Sequence, residues 1–158
     1  MKFHKITMNI REHRPVRTMN DVKEVLDAAP SDMVKSILVA ADANDHHSSD
    51  NLDADLFLVG VPADRKLDLA KVANVLGRRR ERLRLATQIE VEELTGFQVG
   101  SIPPFGLPKK VPVILDALLA SKKKVWCGTG KSTESLGLSV EDLKRLSTFT
   151  VADVSKAG

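Results

Sequence analysis

The run from Gly100 to Gly106 (GSIPPFG) is the feature that most constrains how this chain can fold. Proline fixes φ and lacks an N–H, while glycine permits backbone angles and close approaches that other residues avoid. A helix or a central strand cannot continue through such a run. The run therefore predicts a stiff loop with bare amides near Gly100. Such a loop is either a rigid connector between a helix and a strand or a site that binds a carbonyl or phosphate group through its backbone.

Composition places the chain among ordinary globular proteins. Its 158 residues and 42% hydrophobic content predict one domain with a sizeable core. No apolar stretch reaches the roughly 18 residues that a bilayer span needs, and the first residues lack the apolar segment of a secretory signal. Cys127 is the single cysteine of the sequence, which excludes an internal disulfide and favours a reducing cytoplasm.

Positive charge is unevenly distributed, although the net charge is only +3. The segment 78–84 (RRRERLR) holds five arginines and one glutamate, and lysines cluster at 109–110 and 122–124. Acidic residues gather in segment 42–55 instead. Clustered cations can neutralise the phosphates of a nucleic acid, but a charged run can equally be a solvated helix face.

Strand and helix patterns alternate along the chain, which predicts a mixed α/β (α+β) sheet. Two apolar strands flank a polar loop at 42–54 and could form a hairpin. Capping boxes and glycine stops mark helix ends, as at Thr87 and Gly96. The predicted strands cover 33–41, 56–61, 82–87, the first part of 111–119, 124–127 and 149–154, and the predicted helices cover 18–29, 64–76, 87–96 and 139–146.

Most isolated motifs favour a structural interpretation. Segment 128–133 (GTGKST) suggests a P-loop, but Val125 occupies the position of the required first glycine. His46 and His47 lie in an acidic stretch without metal-ligand spacing, and Cys127 lies in an apolar strand as a small core residue would. Lys35 is more informative because it interrupts an apolar strand, where an unpaired ammonium is costly. It must reach the surface or face an anion.

Three segments in order resemble the YbaK and prolyl-tRNA-synthetase-associated editing domains. They are Val34–Val39 (VKSILV), Asp64–Asp68 (DRKLD) and Thr95–Gly106 (TGFQVGSIPPFG). Segments 12–18, 113–116 and 130–143 support the resemblance, which covers about residues 12–150. Each piece alone is weak, but the ordered set is specific.

The resemblance implies a mixed, partly barrel-like sheet flanked by helices, and hydrolysis of the ester that joins a wrong amino acid to tRNA. Lys35 matches the lysine that holds the phosphate of the terminal adenosine. The loop of Gly100, Ser101, Ile102, Pro103 and Pro104 matches the one that holds the aminoacyl carbonyl by backbone amides. No metal or cofactor is implied, and the implied partner is mischarged tRNA. An aminoacyl-tRNA synthetase could be a second partner that adds selectivity. The remaining predicted substrate or tRNA contacts are Thr18, Asp116, Thr133, Ser135, Arg78, Arg79 and Arg80.

Two functions remain open, with a third less favoured. The first is a freestanding deacylase acting on a small amino acid such as alanine, cysteine or serine. The second is a non-catalytic module of the same fold that binds RNA through its basic surface. The third is a nucleotide-binding enzyme that uses segment 128–133.

Overall fold

The computed structural model describes residues 9–12, 29–42, 55–97, 102–107, 111–129 and 134–158. The predicted helix at 18–29 falls almost wholly outside these ranges. The strands of the described residues are β1 (Asn9–Glu12), β2 (Val34–Ala41), β3 (Asp55–Pro62), β4 (Arg65–Leu67), β5 (Leu83–Leu85), β6 (Val113–Asp116), β7 (Lys124–Gly128), β8 (Glu134–Ser139), β9 (Phe149–Ala152) and β10 (Ser155–Ala157). The α-helices are α1 (Leu69–Leu76), α2 (Gln88–Thr95), α3 (Ala117–Ala120) and α4 (Val140–Leu146).

A five-stranded mixed sheet in the order β5-β2-β3-β6-β9 forms the centre of the fold. β2 and β3 pair antiparallel from Val34 opposite Pro62 to Ala41 opposite Asp55, which confirms the predicted pairing of these strands. β6 runs parallel to β3 and to β9. The sheet is therefore antiparallel at one side and parallel at the other, as the predicted mixed class requires.

Two smaller sheets flank the central one. β1, β8 and β7 form an antiparallel sheet, which meets the beginning of β2 through a parallel bridge between Met33 and Trp126. β4 pairs antiparallel with β10. None of β1, β4, β8 and β10 was predicted. β1, β4 and β10 are only three or four residues long and pair with strands that are distant in the sequence, whereas β8 pairs with its chain neighbour β7.

The two faces of β2 enter different parts of the hydrophobic core, because successive side chains of a strand point to opposite sides. Val39 lies in a cluster with Val59, and α1 packs there through Val72. Leu38 lies in a second cluster, on the other face, that includes Ile102. The central sheet therefore has apolar side chains buried on both faces.

The structure corrects the start of the predicted helix 64–76. Arg65–Leu67 is strand β4, and α1 begins at Leu69 after its N-cap Asp68. The Asp68 carboxylate accepts hydrogen bonds from the N–H groups of Ala70 and Lys71, so the cap fixes the helix start at this residue. The preceding residues pair with β10 instead.

Other boundaries are confirmed where local chemistry sets them. Gly77 and Gly96 adopt φ angles of 65° and 74° at the ends of α1 and α2, in the left-handed region that favours glycine. Thr87 and Glu90 form the predicted capping box of α2. Because Thr87 begins the helix, the predicted strand 82–87 is shorter in the structure, where β5 covers Leu83–Leu85. The apolar run 111–119 divides into β6 and α3, since Asp116 caps α3.

Candidate functional site

Lys35 lies in β2 with its side chain half-buried. Its Nζ donates a hydrogen bond to the carbonyl oxygen of Arg65 at 2.8 Å. Burial lowers the pKa of Lys35 below its ordinary value of 10.5; the nearby Asp64 carboxylate acts in the opposite direction, and Lys66 adds to the lowering. Unlike the apolar residues around it, Lys35 thus has a polar partner. It also retains further N–H capacity, because an ammonium has three donors.

The fold brings together two of the three segments that carry the family resemblance. β3 returns antiparallel along β2, and β4 follows it after two residues. The N–H of Ala63 donates to the carbonyl oxygen of Met33 at 3.0 Å, so the β3–β4 turn is fixed beside the start of β2. Segment Asp64–Asp68 therefore lies against the Lys35 side chain.

The proline loop is anchored by its apolar residues. Ile102, Pro103 and Pro104 are buried. Ile102 belongs to the cluster of Leu38, and Phe105 packs against the cluster of Val34, so the loop spans two parts of the core. Gly100 and Ser101, which carry the predicted amide contacts, lie outside the described residues.

Lys35 and Ile102 lie on opposite faces of β2. The side chain of Lys35 shares the face of Val39, whereas Ile102 packs on the face of Leu38. The described residues therefore do not place the Lys35 ammonium beside the buried half of the proline loop.

Ser36 was not predicted, yet it occupies an unusual position. It lies between Val34 and Leu38 on the face against which the proline loop packs, and it is 9% exposed. Its hydroxyl has no hydrogen-bond partner among the described residues. Gly60 is its cross-strand neighbour, and a Cβ there would meet Val34 Cγ1 at 2.9 Å. The sequence signal was a serine inside an apolar strand beside the singled-out Lys35.

Asp116 is placed as a structural residue. It is 1% exposed, and one carboxylate oxygen accepts from the N–H of Leu118 at 2.8 Å. The other accepts from the N–H of Val154 at 3.2 Å. The two oxygens thus join α3 and the segment between β9 and β10 to β6, and a contact of Asp116 with substrate stays a prediction.

Ser135 shares a face of the sheets with Lys35. It lies in β8 opposite Arg11 and Gly128, and the bridge between Met33 and Trp126 carries this face over to β2. The two side chains are at least two interstrand spacings apart. Thr18 and Thr133 lie outside the described residues, as do most of the residues in segment 128–133.

The predicted arginines lie at the far end of β2 from Lys35. Arg79 and Arg80 are exposed, whereas Arg78 forms an ion pair with Asp55 and stacks over the ring of Phe57 at 5.6 Å. A surface cavity of about 240 Å³ is lined by Asp42, Arg78, Arg79 and Arg82. Lys35 and Ala41 are six residues apart in the strand, so the cavity lies about 20 Å from Lys35.

Cys127 is a core residue, as its sequence context predicts. It is 2% exposed and packs with the apolar residues of β7 and β8. Burial raises the pKa of its thiol to about 12, so no reactive thiolate forms there near neutral pH. Among the described residues no group of three histidine, cysteine or carboxylate side chains is arranged to hold a metal ion, and no helix is long and apolar enough to cross a membrane.

A model of the aminoacyl-tRNA editing domain matches residues 13–146 of this chain. The chain belongs to the aminoacyl-tRNA editing domain family. This confirms the resemblance that the three sequence segments indicated. The matched range includes β2 with Lys35, β4 with Arg65, and the proline loop.

Relatives and a solved structure agree with the family. The proline–tRNA ligase of Thermoanaerobacter sp. (strain X514) is 37% identical over 101 residues, 64% of this chain and 16% of the ligase. The multifunctional Ser/Thr-tRNA deacylase ProXp-y of Escherichia coli (strain K12) is 34% identical over 85 residues, 53% of this chain and 50% of the deacylase. A solved candidate trans-editing enzyme for prolyl-tRNA synthetase superposes with a TM-score of 0.79 at 27% identity, covering 95% of this chain and 87% of its own. The chain thus spans only a small part of the ligases it matches.

Proposed function

We propose that this chain is a trans-editing deacylase that hydrolyses the ester of a tRNA mischarged with alanine, cysteine or serine. The observation that carries the proposal is the half-buried Lys35 ammonium beside the backbone of Arg65. It is a fixed cation in a strand of an editing-family fold. Family membership supplies the reaction class, and Lys35 supplies a group that can hold a phosphate of the tRNA end.

The reaction needs no nucleophilic side chain. Water attacks the carbonyl carbon of the ester, the bond to the ribose oxygen breaks, and the proton of the water passes to that oxygen. The products are the free amino acid and uncharged tRNA. Backbone amides at Gly100 and Ser101 would stabilise the negative charge that develops on the carbonyl oxygen, and Lys35 would fix the adjoining phosphate so that the ester stays in position.

Ser36 supports serine among the three candidate amino acids. Its buried hydroxyl lacks a partner among the described residues, and an unsatisfied buried hydroxyl is costly. A hydroxyl-bearing substrate would supply the missing hydrogen bond after the groups that cover the Ser36 hydroxyl have moved aside. Sites built to bind a substrate hydroxyl discriminate strongly against analogues without it.

The exposed arginines support contact with the tRNA body. Arg79 and Arg80 lie at the opposite end of β2 from Lys35, where Arg79 lines a cavity together with Arg78 and Arg82. A tRNA whose 3′ end reaches Lys35 has phosphates about 20 Å away that these cations can meet. The same surface would also serve the alternative function, a non-catalytic RNA-binding module.

The decisive experiment is deacylation of tRNAs charged with alanine, cysteine, serine, threonine and proline. We expect hydrolysis of one or two of these species and a sharp loss of rate in Lys35→Ala and in Gly100→Ala. Lys144→Ala, an exposed lysine on α4, is the matched control and should retain the native rate. Full activity of both site variants would refute the assignment, and RNA binding without any hydrolysis would establish the binding module instead.

A further inference from the structure

A chain of hydrogen bonds connects Lys35 to the strand β10. The Lys35 Nζ donates to the carbonyl oxygen of Arg65 at 2.8 Å. The Arg65 Nε donates to the Ser155 Oγ at 2.8 Å. The Lys71 Nζ in turn donates to the carbonyl oxygen of Ser155 at 2.7 Å. Ser155 is completely buried, and the three hydrogen bonds are partly buried.

We propose that Arg65, Lys71 and Ser155 form a latch that positions the Lys35 ammonium for the phosphate of the substrate. This inference rests on the proposed function, since phosphate binding by Lys35 is the step that the latch serves. Ser155 does not touch the substrate in this scheme. It acts through Arg65 and is a positioning residue.

The latch restricts the conformations of the Lys35 side chain. A lysine side chain is flexible, and its ammonium is a point charge with three rotatable donors. One fixed acceptor, the Arg65 carbonyl, holds one N–H and thereby restricts where the others point. A group that is held before the substrate arrives loses less entropy on binding.

The Arg65 carbonyl needs support because β4 is short. β4 and β10 form a two-stranded sheet of three residue pairs, and an isolated pair of strands is marginally stable. The side chains of Arg65 and Lys71 add two hydrogen bonds to Ser155. The N–H of Asp68 adds a third contact, to the carbonyl oxygen of Val154 at 2.9 Å. The backbone that holds Lys35 thus depends on β10.

The test follows Lys35 directly by lysine ¹⁵Nζ NMR as a function of pH. In the native protein its signal should titrate below the other lysines, since burial lowers its pKa. In Ser155→Ala the latch loses its hydroxyl, and the titration should move towards that of an exposed lysine. Ser155→Thr keeps a hydroxyl and should restore the native curve. Asp153→Asn removes only the exposed partner of Lys71 and should leave the curve unchanged.

Binding of uncharged tRNA gives the second measurement. Ser155→Ala should weaken it about fivefold, the effect of one lost hydrogen bond, while Ser155→Thr and Asp153→Asn stay close to native. If Ser155→Ala does not fold, Arg65→Met removes the same bond from its donor side. An unchanged Lys35 titration in the variant that folds overturns the latch. Absence of tRNA binding by the native protein overturns the proposed function instead, and the NMR titration still decides the latch.

Discussion

Lys35 and Arg65 are 30 residues apart in the chain, yet the Nζ of the first lies 2.8 Å from the carbonyl oxygen of the second. The contact joins the central sheet to the small β4–β10 sheet. It also leaves the lysine half-buried, with its charge close to a backbone dipole and with no carboxylate bonded to it among the described residues. We therefore expect tRNA affinity and the free energy of unfolding to depend on pH through Lys35.

The affinity for uncharged tRNA should fall with rising pH before an ordinary lysine titrates. Burial lowers the pKa of Lys35 from 10.5, so the ammonium is lost at a lower pH than in an exposed lysine. Between the folded pKa and 10.5 the unfolded state binds more protons, and the free energy of unfolding should rise with pH in that window. Filter binding from pH 7 to 10 measures the first effect. Lys35→Arg keeps its charge throughout, and a curve as steep as the native one in that variant would contradict the assignment.

Because of the ion pair between Arg84 and Glu90, the free energy of unfolding should depend on pH in the acidic range. The two charges meet at 2.6 Å between β5 and α2, and the hydrogen bond from Arg84 is the main reason that the pKa of Glu90 falls from 4.5 to about 2. The stabilisation is present above pH 4.5 and is lost as the pH falls towards 2. Glu90→Gln should cost about 1–2 kcal/mol at pH 7, given the partial exposure of the pair.

Urea denaturation of Glu90→Gln at pH 7 and pH 3 measures this effect. The difference from the native protein should shrink at the lower pH. Glu92→Gln is the control, because Glu92 is an exposed residue of the same helix. An equal loss of stability in both variants would show that helix propensity, and not the pair with Arg84, is responsible.

Arg79 and Arg80 should contribute to RNA affinity through counterion release. Each phosphate interaction that the double variant Arg79→Gln/Arg80→Gln removes should reduce the slope of log K against log salt by about 0.7–0.9. The rate of hydrolysis at saturating tRNA should not change, since both residues lie about 20 Å from Lys35. Titration of tRNA at salt concentrations from about 50 to about 200 mM checks the prediction. An unchanged slope, equal to that of a Lys144→Gln control, would place the RNA elsewhere.

Cys127 should be chemically silent in the folded protein. Its thiol is buried in the core and its pKa is raised to about 12, so reaction with a thiol reagent at pH 8 requires unfolding. Cys127→Ala should retain deacylation at some cost in stability, because it leaves a small cavity. Rapid labelling of the native protein, or loss of activity in a Cys127→Ala variant that is still folded, would favour a nucleophilic role.

The helix ends that could be predicted from the sequence are those set by local interactions. The capping box at Thr87 and the left-handed glycines Gly77 and Gly96 depend on neighbours within four residues, and each helix end is found where predicted. Arg65, which the sequence pattern places in a helix, lies in strand β4. The strand there forms because Ser155 and its neighbours, 90 residues away, pair with it.

Some features of the candidate site could also be predicted from the sequence, and others could not. Lys35 was singled out because a charge inside an apolar strand is conspicuous, and the structure places it half-buried; its contact with the substrate stays a prediction. Its acceptor is a backbone carbonyl, which the sequence cannot distinguish from any other. Ile102 packs on the face of β2 opposite to Lys35 because of how β2 pairs with its neighbours and how the loop packs. Spacing in the sequence therefore predicts neither the acceptor of Lys35 nor the face that Ile102 contacts.

Ser36 should show a trade-off between stability and activity. Its buried hydroxyl has no partner among the described residues, so Ser36→Ala should raise the free energy of unfolding by about 1 kcal/mol. If a hydroxyl of the substrate is the missing partner, the same change should lower kcat/KM for seryl-tRNA more than for alanyl-tRNA. Thermal unfolding and paired deacylation assays measure the two effects in one variant. A loss of stability would mean that the hydroxyl already has a partner in the free protein, and an equal loss on both substrates would remove Ser36 from the recognition of the amino acid.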